Sequence, residues 1–212
     1  MPLRALARPE TGSHRHAWPV LALAALVVVA VLAVLVSRRA DPARLKAGAG
    51  TGTGPALAVG DPAPTVQASG WLNTAPLGPA DLAGKVVLYD FWTFDCSNCQ
   101  HTLPYVKAWH ARYARDGLVV LSVHSPEFSF EADPANVARY VQANGITYPV
   151  ALDPQHVVWQ AFANHYWPAF YLYDRDGHHR YTHFGEGSYA DTENAIRALL
   201  GVDPSSPRAV RA

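Results

Sequence analysis

Cys96 and Cys99 are the two cysteines of a 212-residue chain, and they stand two residues apart in Asp90-Phe91-Trp92-Thr93-Phe94-Asp95-Cys96-Ser97-Asn98-Cys99. A C-x-x-C that follows an apolar run and precedes a segment of helical spacing points to thiol-disulfide exchange. The thiolate, not the thiol, attacks a disulfide sulfur, so the working cysteine needs a lowered pKa and access to solvent. Cys96 falls where the following helix begins, and there unpaired N–H groups and the helix dipole favour an anion. Cys96 is therefore the expected nucleophile. Cys99, one turn further in, is expected to resolve the mixed disulfide by attacking Cys96. A purely structural bridge is disfavoured, because closing so short a loop removes little chain entropy.

The same residues admit other chemistry. A metal site would need two further ligands, and the candidates His101, His124 and His165 lack zinc-ligand spacing, so no metal and no cofactor is expected. Asp90 ends a strand that should be buried, where a carboxylic acid is costly without a partner or a role. Glu127, in His124-Ser125-Pro126-Glu127-Phe128, is a second acid within reach of the site, or else an ordinary solvated loop residue.

The elements that must position these groups follow from the apolar pattern. Residues 85–92 read as a strand covered on both faces. Leu103, Val106, Trp109 and Tyr113 mark one face of the helix after Cys99, and residues 118–123 form a second buried strand parallel to the first. Asp133-Pro134 starts a helix carrying Val137, Tyr140 and Val141 and closed by Gly145. Residues 146–152 return to the sheet, and a short helix covers 156–162. Residues 169–173 and 179–184 pair as a hairpin around Asp174-Arg175-Asp176-Gly177, and a last helix over 191–200 stops at Gly201. Trp71-Leu72-Asn73 suggests a short strand, and 76–84 a loop.

Before this domain lies Trp18 to Val36, 19 residues without a charge, flanked by arginines. As a helix it would reach roughly 28 Å, about the thickness of a bilayer core. The expected organisation is an N-terminal tail (1–17), one transmembrane anchor (18–36), a Gly-rich flexible linker (37–56), a folded domain (57–201) and a disordered tail (202–212). The anchor is expected to stay uncleaved with its N-terminus inside, which places the domain on the extracytoplasmic, periplasmic side of the cell membrane. Basic and acidic residues balance at 17 each and form no basic stripe, so nucleic acid is not an expected partner.

The order of strands and helices, with Asp90-Phe91-Trp92 before the C-x-x-C, Pro104 after it and Tyr166-Trp167-Pro168 before a strand, resembles the thioredoxin superfamily. More narrowly it resembles the membrane-anchored TlpA-like and DipZ-type thiol-disulfide oxidoreductases, over about residues 57–201. Phe91 to Cys99 and Tyr181-Thr182-His183-Phe184-Gly185-Glu186-Gly187 look especially like the DipZ-type domain. The resemblance implies an α/β thioredoxin-like fold: a central mixed sheet with helices on both faces. It also implies that Asp90 is the general base for Cys99, that Pro168 is a cis-proline facing the disulfide, and that Trp167 helps contact the partner. Trp92, Phe94 and Trp167 are expected to form an apolar collar around Cys96.

Two positions depart from the pattern. Thr102 stands where many cytochrome-maturation members carry glutamate, and Ser97-Asn98 replaces the Gly-Pro of thioredoxin. The expected function is thus a membrane-tethered thiol-disulfide oxidoreductase that reduces protein disulfides and draws on a membrane electron donor of the CcdA/DsbD type. Two alternatives stand beside it. Thr93-x-x-Cys96 matches part of the P-x-x-x-T-x-x-C motif of peroxiredoxin-like peroxide reductases, with Tyr89 in place of the proline. The other is a copper chaperone or assembly factor that holds the metal through its thiols.

Overall fold

The computed structural model describes residues 60–203. The expected N-terminal tail, membrane span and linker lie outside the described residues, as does the chain after 203. Among the described residues no helix is long and apolar enough to cross a membrane.

The chain runs β1 (Gly70–Leu72), α1 (Pro79–Leu82), β2 (Val86–Trp92), α2 (Ser97–Tyr113), β3 (Leu118–His124), α3 (Pro134–Ala143), β4 (Val150–Leu152), α4 (Val157–Ala161), β5 (Ala169–Tyr173), β6 (His179–Phe184) and α5 (Tyr189–Leu200). One six-stranded sheet has the order β1-β4-β3-β2-β5-β6. The central pairs β2–β3 and β3–β4 are parallel, while β1, β5 and β6 join antiparallel. This is a mixed thioredoxin-like sheet.

β2 is buried along its whole length, as a central strand covered on both faces must be. Its side chains alternate between two cores. Val86, Leu88 and Trp92 pack with Cys99, Val106, Trp109 and Tyr113 of α2, Val137 and Val141 of α3, and Ala195 and Ile196 of α5. Val87, Tyr89 and Phe91 pack on the other side with Val158 of α4 and the neighbouring Phe162. The same alternation gives Asp90 to the α2 side, the side of Cys99.

Local chemistry sets the element ends. Asp133 Oδ1 accepts the Ala135 N–H at 2.9 Å and Pro134 occupies the first turn of α3, while Gly145 beyond its end adopts φ 59°. Two features depart from expectation. The 76–84 loop contains the four-residue helix α1, and a 3₁₀ turn forms at Ser129–Ala132 between β3 and α3. Neither is long enough to display an apolar period.

Candidate active site

β2 delivers Asp90 and Trp92, the loop 93–95 turns the chain, and α2 opens with Cys96 as its N-cap. Cys96 Sγ accepts the Cys99 N–H at 3.2 Å, so the sulfur takes the place that a capping oxygen usually fills. Both cysteines are free thiols, Cys96 partly exposed and Cys99 buried. The hydrogen bond from the Cys99 side chain draws the Cys96 thiol down to about 7. Partial burial opposes this, the N–H groups of Cys99 and Asn98 add to it, and the charge of Glu127 works against it. The Cys99 thiol is pushed far above the ordinary range, first by that same hydrogen bond to Cys96 and then by burial. The pair is thus split into one thiol ready to ionise and one that holds its proton.

Asp90 is 4% exposed, and burial pushes its carboxyl up to about 7 against a hydrogen bond that lowers it. That bond comes from the Ser122 hydroxyl to Oδ2 at 3.0 Å. Oδ1 is buried without a partner. The charge of Asp90 is felt at Cys99, which places the acid on the Cys99 side of the pair.

Of the expected apolar collar, Phe94 and Trp167 are half-buried and reach the surface, whereas Trp92 is 5% exposed and belongs to the core. The reason is strand alternation: Trp92 points inward beside Cys99, edge-on to His124 at 5.0 Å and 5.6 Å from Tyr140. Phe94 stacks on both His124 and Tyr140, so Trp92 supports the collar from beneath. Trp167 Nε1 donates to the Ser125 carbonyl at 2.9 Å, and its ring lies 4.2 Å from that of Trp159. The Trp167–Pro168 peptide is cis. Thr102, in the position of the missing glutamate, donates its hydroxyl to the Cys99 carbonyl.

A second buried carboxylate sits beside the site, and sequence reading missed it. Glu131 is fully buried in the 3₁₀ turn. Its Oε1 accepts the Thr93 hydroxyl at 2.5 Å and the Asp95 N–H at 3.0 Å, and its Oε2 accepts the N–H groups of Glu127 and Phe128 at 2.8 Å. Burial alone would raise its pKa, but these four donors hold it below the usual glutamate value. One signal was available: Glu131 stands three residues after Phe128, the spacing at which an acid reaches back to the N–H that opens a turn. The weighed acid, Glu127, is exposed, and only its charge touches Cys96.

The histidines do not assemble. His101 is exposed and pairs with Glu186, His165 is exposed, and His124 is buried with its pKa pressed by burial to about 4. Among the described residues no three His, Cys, Asp or Glu side chains come together to hold a metal ion.

The AhpC/TSA family matches residues 59–182. DipZ of Mycobacterium tuberculosis is 48% identical over 135 residues, which is 62% of this chain and 19% of DipZ, so the chain spans under a fifth of that relative. The thiol-disulfide oxidoreductase ResA of Geobacillus thermodenitrificans is 30% identical over 122 residues, 58% of this chain and 67% of ResA. A solved thioredoxin-like superfamily protein superposes with a TM-score of 0.62 at 27% identity, covering 67% of this chain and 97% of its own. The chain belongs to the AhpC/TSA family, as a thioredoxin-like homologue of the DipZ and ResA-type thiol-disulfide oxidoreductases.

Proposed function

We propose that this protein reduces disulfides of exported proteins through the Cys96/Cys99 dithiol while tethered to the membrane by residues 18–36. The observation that carries this reading is the asymmetry of the pair: Cys96 Sγ caps α2 at the surface, and Cys99 lies buried within the electrostatic reach of an acid with an unpartnered oxygen.

The Cys96 thiolate attacks one sulfur of the partner's disulfide, forming a mixed disulfide and expelling the partner's other sulfur as a thiolate. Asp90 takes the proton of Cys99 through Oδ1. The Cys99 thiolate then attacks Cys96, and the partner leaves with both thiols reduced. A carboxylate with a pKa of about 7 suits this exchange, since at neutral pH it is partly ionised and gains a proton readily. Phe94 and Trp167 form the rim on which the partner rests, with the buried Pro168 behind it. The resulting Cys96–Cys99 disulfide is reduced again by a membrane electron donor of the CcdA/DsbD type, in keeping with the resemblance to membrane-anchored relatives. The peroxide alternative has no support from the geometry around Thr93, whose hydroxyl is committed to Glu131.

Replacing Cys99 with Ala tests the proposal. The variant should accumulate a reductant-sensitive adduct with its partner through Cys96, visible on non-reducing gels and absent from the double variant with Cys96→Ser. No adduct, together with no dithiol titration of the wild-type protein between the potentials of thioredoxin and glutathione, would refute it.

A further inference from the structure

The 3₁₀ turn beside the site presents two aromatic side chains to solvent that no step of the exchange uses. Phe128 is 50% exposed and Phe130 48%. Their rings lie nearly parallel, 5.9 Å apart with 4° between planes, and Phe130 continues onto Phe94 at 5.8 Å. Phe94 stands two residues before Cys96. Phe94, Phe130 and Phe128 thus make a continuous aromatic strip that leads away from the nucleophilic sulfur.

Three observations tie this strip to the site. The Asp95 N–H, adjacent to Cys96, bonds to Glu131 of the same turn. The charge of Glu127, at the head of the turn, is felt by the Cys96 thiol. The Glu131 carboxylate holds the N–H groups of Glu127 and Phe128 on one side and the Thr93–Asp95 loop on the other, so strip and nucleophile are carried by one hydrogen-bonded unit. Exposed aromatic rings have a cost in water, and a buried four-donor carboxylate that fixes them in place is what a contact surface needs.

We infer that Phe128 and Phe130 select the partner: the strip receives a bulky apolar side chain of an extended polypeptide, close in sequence to the cysteine that Cys96 attacks. This rests on the thiol-disulfide reading above. During exchange the partner's sulfur must come to Cys96 Sγ, and an extended chain advances only about 3.3 Å per residue, so residues flanking that cysteine necessarily pass over the neighbouring surface. The exposed carboxylates of Asp95 and Glu127 beside the strip turn away an acidic flank. The occupant is therefore apolar and not acidic next to its disulfide.

The test uses the full-length protein in detergent and two disulfide-bonded peptides that differ only beside the cysteine, one carrying Leu and Phe, the other Ser at both places. Wild type should show a kcat/KM about tenfold higher for the apolar-flanked peptide, the effect of removing roughly 55 Å² of apolar surface from water. In the Phe128→Ser/Phe130→Ser variant this ratio should fall to within twofold of unity. Should the double variant not fold, Phe128→Ser alone should lower the ratio about threefold. Equal rates for the two peptides in wild type, or an unchanged ratio in the variants, overturn the inference. Failure of wild type to reduce either peptide overturns the thiol-disulfide reading instead.

Discussion

Two buried carboxylates flank the cysteine pair, and they are treated in opposite ways. Asp90 has one hydroxyl donor and an oxygen with no partner, and burial raises its pKa to about 7. Glu131 is likewise shut off from solvent yet has four donors, and its pKa lies below the ordinary value. Burial by itself therefore assigns no role to an acid. The number of donors decides whether the group keeps a proton within reach or holds a fixed charge. Under-bonded Asp90 is suited to move a proton, and saturated Glu131 is suited to hold a shape.

The largest effect should come from removing the second group. Glu131→Ala leaves the Thr93 hydroxyl and three backbone N–H groups facing a void. With each unsatisfied donor costing on the order of 1–3 kcal/mol and water relieving part of that, a loss of about 5 kcal/mol is expected in denaturant unfolding. The pH dependence has a definite sign. A carboxylate whose folded pKa is depressed contributes stability above its unfolded value and loses it as pH falls through the folded value, so the gap between wild type and variant should narrow in acid. A loss below about 1 kcal/mol would mean that Glu131 does not bind the two loops together.

Asp90→Asn should act in the other direction. The unfolded chain ionises Asp90 near 3.8, whereas the folded protein keeps it protonated up to about 7. The unfolded state then binds fewer protons across that window, and wild-type stability falls as pH rises through it. The variant should gain up to about 4 kcal/mol at pH 8 and nothing below pH 4. The same change should slow resolution of the mixed disulfide by about 100-fold, seen as its accumulation in rapid-quench experiments. A variant that is more stable yet resolves at the wild-type rate would remove Asp90 from the chemistry.

The contrast between these acids also explains what could be read in the chain. β2, α2 and the hairpin of β5 and β6 were legible because each is long enough to show its period or is punctuated by an unmistakable turn. Asp90 was legible for the same reason: an acid inside Val86–Trp92 is conspicuous against an apolar run. Glu131 was hidden, because its partners are mostly backbone N–H groups and half of them come from a loop some 36 residues earlier, for which side-chain patterns carry no record. Trp92 is expected in the collar because alternation puts it on the α2 side with Cys99, and nothing in the pattern says that His124 and Tyr140, with Phe94 stacked on them, cover it there. The place of Pro168 came from resemblance alone, and α1, at four residues, shows no period at all.

The smallest expected effect lies at the residue that joins the active-site loop to the second acid. Thr93 is 1% exposed, donates its hydroxyl to Glu131 Oε1 and lies 3.3 Å from His124 Nε2. Thr93→Val keeps the shape and removes one of four donors, leaving Oε1 with the Asp95 N–H. Stability should fall by about 1 kcal/mol, and the rate of peptide-disulfide reduction should stay within twofold. The outcome distinguishes two places for this hydroxyl. If it belongs to the holding side of the comparison, only stability moves. A tenfold or greater loss of rate at unchanged stability would instead bring Thr93 to the reacting sulfur, the position that the Thr93-x-x-Cys96 spacing has in a peroxide-reducing enzyme, and the division of labour between the two acids would have to be redrawn.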